Sequence, residues 1–90
     1  MKEELILEHL EEIARKKSII IRYEKLDNGE LVIRSGGCRV KGSEYIMVDN
    51  KLPPREKIEV IAKELGKRNL NDIYMLPLIR EIILKSGRPR

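Results

Sequence analysis

Glu64 stands between Lys63 and Lys67, an i, i+4 pair in a segment of helical periodicity. On one helix face that spacing lets two side chains grip a cation while the intervening glutamate acts on a metal-bound water as general base. Histidine at both positions would supply the lone pairs; a lysine ammonium has three donors and no acceptor, so this pair holds no zinc. A base without a bound water has nothing to activate. The expectation is a protein without metal, cofactor or catalysis. Glu59 with Lys63, and Glu64 with Arg68, are i, i+4 pairs in the favourable order, and they read as a solvated helix face.

Cys38 follows Gly36 and Gly37 and lies beside Arg39 and near Lys41, whose charge favours a thiolate. A nucleophilic thiol also needs a base. The sole histidine, His9, is on the first expected helix, so a Cys38–His9 dyad forms only if that helix packs over the glycine bend. An inert, partly buried cysteine is the simpler reading. Neither Gly36-Gly37 nor Lys41-Gly42-Ser43 has the spacing of a phosphate loop.

The elements that must position these residues follow from periodicity and punctuation. Ile6, Leu10, Ile13 and Ala14 recur at helical spacing between Lys2 and Lys17, with acids in the first turn, bases in the last, and Glu11–Arg15 and Glu12–Lys16 as i, i+4 pairs. Ser18 to Leu26 and Glu30 to Ser35 are β-like runs around Asp27-Asn28-Gly29, a hairpin signal. Gly36 and Gly37 mark a bulge or bend before Cys38-Arg39-Val40; a turn at Lys41-Gly42-Ser43 leads into a strand from Glu44 to Asp49. Pro53 and Pro54 open a helix on Ile58, Ile61, Ala62 and Leu65 that stops between Gly66 and Asn69, and Asn71-Asp72 start a turn. Pro77 opens a last helix running to about Lys85 and stopping at Gly87. The expected architecture is one α+β domain over residues 1–90: a helix, a three- or four-stranded antiparallel sheet, and two helices, with all helices on one sheet face and 85–90 a flexible basic tail.

Leu76, Leu78, Ile79, Ile82, Ile83 and Leu84 spread round most of the last helix, which must then be covered on several sides. Either it is the central helix of the fold, or Leu76, Ile79, Ile82 and Ile83 form an interface with a second copy or another protein.

Ninety residues bury one modest core, and with 13 Ile, 11 Leu, no Phe and no Trp that core is aliphatic. No apolar run reaches the roughly 18 residues of a membrane span, and the N-terminus lacks the pattern of a signal peptide. One cysteine builds no internal disulfide, so the expected compartment is the cytoplasm. Charged residues at 38%, rich in Glu and Lys, with no Gln or Thr, fit a high working temperature. Net charge is +4, with 13 bases against 7 acids after residue 30. Arg34, Arg39, Lys41, Lys51 and Arg55 would make a phosphate-binding patch if they shared one end of the sheet, joined by Lys85, Arg88 and Arg90. Only Tyr23, Tyr45 and Tyr74 are available to stack on bases, so the alternative is a solvated basic surface.

Across residues 44–68, Glu44-Tyr-Ile-Met-Val-Asp49, Leu52-Pro-Pro and Ala62-Lys-Glu-Leu-Gly-Lys67 resemble the entry to the active helix of small His-Glu-x-x-His zinc peptidases linked to phage-type regulators. Ala62, Glu64, Leu65 and Gly66 match that pattern; Lys63 and Lys67 replace both histidines. The resemblance implies a metal-free relic of such a domain. A looser one, over Gly36-Gly-Cys-Arg-Val-Lys-Gly42, Val48-Asp-Asn-Lys-Leu-Pro53 and Ile73-Tyr-x-x-Pro77 with Arg80-Glu81, is to a family of short uncharacterised bacterial proteins, and implies no activity. Three functions follow: an interaction module acting through the last helix, a nucleic-acid-binding protein, or the relic.

Overall fold

The computed structural model describes residues 1–25 and 35–87. The expected turn at Asp27-Asn28-Gly29, the run from Glu30 to Arg34, and Arg88 to Arg90 lie outside the described residues. α1 (Glu3–Lys16) forms where periodicity places it, with Leu10, Ile13 and Ala14 buried, Glu3 and Glu4 at its start, and Arg15 and Lys16 at its end. Its charge pairing differs from the i, i+4 expectation. Glu12 takes Arg15, and Glu11 accepts a hydrogen bond from the Tyr23 hydroxyl.

Three strands follow: β1 (Ile19–Glu24), β2 (Gly36–Val40) and β3 (Ser43–Asp49), arranged in the order β1-β3-β2. Lys41 and Gly42 both have positive φ, 50° and 83°, which is the two-residue turn that a right-twisted hairpin requires between β2 and β3. β1 lies parallel to β3, with Ile19 opposite Glu44 and Glu24 opposite Asp49. The sheet is therefore mixed, not antiparallel as expected. Turn residues specify local hairpins, whereas the choice of central strand is a burial decision. β3 carries the apolar run Tyr45-Ile-Met-Val48 and takes the position paired on both sides.

Ile19, Ile21 and Tyr23 of β1 and Ile46 and Val48 of β3 form or flank the core on the face that α1 and α2 cover. α2 (Pro54–Leu65) begins on Pro54, whose missing amide proton costs nothing in a first turn, and buries Ile58, Ile61, Ala62 and Leu65. Leu70, Ile73 and Met75 then fasten the connecting segment to the same core. α3 (Pro77–Ser86) packs on α2 and α1, its backbone farther from the sheet than theirs, and shares with them one core. It also carries Lys85 and Ser86, which removes them from the expected tail.

Ile79 and Ile83 of α3 are core residues, while Leu76 and Ile82 are half-buried against that core. The large apolar side chains α3 leaves in solvent are Leu78 and Leu84, 41% and 56% exposed. Among the described residues no helix is long and apolar enough to cross a membrane. Ile79→Ala is expected to destabilise the fold by about 2–5 kcal/mol, and Leu84→Ala by less than about 0.5 kcal/mol. Urea unfolding followed by circular dichroism distinguishes them.

Candidate functional site

The last turn of α2 passes under the start of β2, and there the chain has Gly37, opposite Ile46 in the β2–β3 ladder. A Cβ on Gly37 would lie 2.5 Å from Glu64 Oε1 and 3.3 Å from its Cδ. Only a residue without a side chain lets the carboxylate sit there. Glu64 is 8% exposed and is the only buried charged residue among those described. The solvated-face expectation for it is thus overturned.

A carboxylate in such a place needs a partner, because desolvating an unpaired charge costs several kcal/mol. Lys67 Nζ donates to Glu64 Oε2 at 2.9 Å. Arg68, expected to pair with Glu64 along the helix, instead reaches the sheet. Its Nε and Nη2 donate to Glu44 Oε2 at 2.9 and 2.6 Å, and its Nη1 donates to the Glu64 carbonyl. Arg39 Nη2 completes the chain with a 3.0 Å bond to Glu44 Oε1. The hydrogen bond from Arg68 holds the Glu44 carboxyl below the usual carboxylate range against its partial desolvation, helped by the charges of Arg68 and Arg39.

β2, β3 and the end of α2 are in this way stitched by two carboxylates and three cations beside an open cleft of about 400 Å³, to which Cys38 also contributes. Lys63, one turn before Lys67, is exposed. The arrangement puts a glutamate next to β2, a strand paired on one side only among the described residues, and occupies that glutamate with an ammonium. Among the described residues no three His, Cys, Asp or Glu side chains converge to hold a metal ion.

Cys38 is exposed on β2. α1, with His9, lies against β1, α2 and α3 and not against β2, so the Cys38–His9 pair does not form. Nor do the basic residues share one end of the sheet. Arg39 and Lys41 stand at the β2–β3 turn, whereas Lys51 and Arg55 follow the other end of β3, about 20 Å away at roughly 3.3 Å per residue. Lys85 pairs with Glu81 on α3, and Arg34, Arg88 and Arg90 lie outside the described residues. Sequence reasoning missed Glu44, the reach of Arg68 to it, and the burial of Glu64. The available signal was the glycine pair within a strand, which marks a close approach as well as a bulge.

The chain matches no family model, no curated protein and no solved structure.

Gly37→Ala is expected to destabilise the fold by about 1–3 kcal/mol by displacing Glu64. In a double-mutant cycle with Glu64→Ala the two effects should fall short of additivity by about 1 kcal/mol or more. Glu44 has a separate pH signature. Its pKa is lower folded than unfolded, so its contribution is whole above the ordinary value of about 4.3 and disappears as pH falls through the lowered one. Acid titration of unfolding stability should therefore be shallower in Glu44→Gln than in the parent.

Proposed function

We propose that this chain is a non-catalytic protein-interaction module that takes an extended segment of a partner protein along the outer side of β2. The observation that carries the reading is the position of β2. It pairs with β3 alone among the described residues, and its residues from Gly37 to Val40 are exposed. Edge strands offer unpaired amides and carbonyls, and addition of a strand is a recurrent way of recognising an extended peptide. In a hairpin closed by Lys41-Gly42, Val40 and Ser43 form a hydrogen-bonded pair, so alternation points the amides of Gly37 and Arg39 outward. The charges beneath them are already paired, which anchors the strand to α2 and leaves no group to act on water.

The interaction surface thereby moves from α3 to the sheet edge, because Ile79 and Ile83 are committed to the core. Specific nucleic-acid binding has less support, since the basic residues are split between two ends of the sheet. The single cysteine and the Glu- and Lys-rich composition support a cytoplasmic protein of high working temperature. A second reading concerns origin: the glutamate buried beside an edge strand favours descent from a metal-dependent peptidase whose two ligands became Lys63 and Lys67.

Extended peptides selected on the purified protein should protect the Gly37 and Arg39 amides from hydrogen exchange. Arg39→Pro should abolish their binding while keeping the fold, since proline is tolerated where an edge amide faces solvent. Arg39→Gln should bind within a few-fold of the parent. Protection confined to α3, or undiminished binding by the proline variant, would contradict the proposal. For the relic reading, Lys63→His/Lys67→His should take up one zinc ion per chain at least a hundredfold more tightly than the parent in calorimetry; equal uptake sinks it.

A further inference from the structure

Where α2 ends and α3 ends, the two helices meet glycine on glycine. A Cβ on Gly87 would lie 3.9 Å from the Gly66 Cα, and one on Gly66 would lie 3.4 Å from the Ile83 carbonyl oxygen. With no side chain at either position, a cleft of about 340 Å³ is left beside the crossing. Its walls are mostly apolar, from Leu70, Met75, Ile83 and Leu84, and its polar lining is two guanidinium donors, Arg68 and Arg80, with the Asn71 amide, which can donate or accept. Among the described residues no carboxylate lines it.

The two arginines are not equivalent. Arg68 is spent on Glu44 and the Glu64 carbonyl. The Arg80 guanidinium has no ion-pair partner among the described residues. Helix C-termini ordinarily repel anions, but here four of the carbonyls near the two helix ends already accept hydrogen bonds. Ala62 and Ile83 accept the amides of Gly66 and Gly87, Leu65 accepts that of Arg68, and Glu64 accepts the Lys67 amide and the Arg68 side chain. What remains is a largely apolar hollow of the size that small ligands use, lined by one planar fork that is unpaired among the described residues. Such a fork matches a carboxylate through two parallel hydrogen bonds.

We infer that the cleft between the ends of α2 and α3 binds a small carboxylic acid with an aliphatic tail, the tail on Leu70, Met75, Ile83 and Leu84 and the carboxylate on Arg80. This site is independent of the β2 edge and stands or falls separately from it.

The test is titration of the full chain with octanoate and, in parallel, octanol, followed by amide chemical shifts. Saturable octanoate shifts clustered at Leu70, Met75, Ile83 and Leu84 are expected, with octanol binding at least tenfold more weakly. Arg80→Gln, at an exposed position, should keep the parent spectrum and lose at least tenfold in octanoate affinity, leaving octanol unchanged. Leu84→Gln should weaken both ligands. Absence of saturable shifts, equal octanoate affinity in Arg80→Gln, or shifts spread over the sheet would overturn the assignment.

Discussion

The contact between the Glu64 carboxylate and the bare backbone of Gly37 is the constraint from which the rest of this structure follows. It brings a charge into the seam between α2 and β2, and a charge so placed must be matched. Lys67 does this locally. Arg68, the next residue, is freed to cross to β3 and grip Glu44 with two bonds. Because Glu44 also holds Arg39, the far end of β2 is fastened by the same set. An apolar seam would have been no less stable, since buried ion pairs often do no better than well-packed hydrocarbon. What the polar seam adds is registry: one depth for α2 under the sheet and one pairing for each cation.

Much of this fold was legible in the chain. α1, α2 and α3 lie within a few residues of their expected bounds, because an aliphatic stripe at helical spacing, proline at a first turn and glycine after a last one are local signals. Lys41-Gly42 marked its turn for the same reason. The parallel pairing of β1 with β3 was not legible, since it depends on which strand is most apolar on both sides and not on any nearby residue. Glu64 was hidden more thoroughly. A glutamate with basic residues three and four positions on looks the same whether that helix face meets water or a glycine, and only the partner strand decides. The Gly36-Gly37 pair carried the missing information, but in sequence a bulge and a close approach leave the same mark.

The same chemistry frames the functional reading. Lysine at both positions flanking Glu64 removes the lone pairs a metal needs, and Lys67 then supplies the positive charge that the buried carboxylate requires. In the proposed reading, a glutamate tied to an ammonium under β2, which pairs with β3 alone among the described residues, suits a surface that holds an extended chain without cutting it. α3 contributes differently, since its core face closes the domain and its crossing with α2, glycine on glycine, leaves the apolar cleft that Arg80 overlooks.

Solution NMR tests the central contact most directly, through nuclear Overhauser effects between the Gly37 α-protons and the Glu64 γ-protons. Strong cross-peaks, weakened when Lys67→Ala releases the carboxylate, are the predicted result. Their absence in the parent chain, with the Glu64 side chain averaging freely in solvent, would contradict the account.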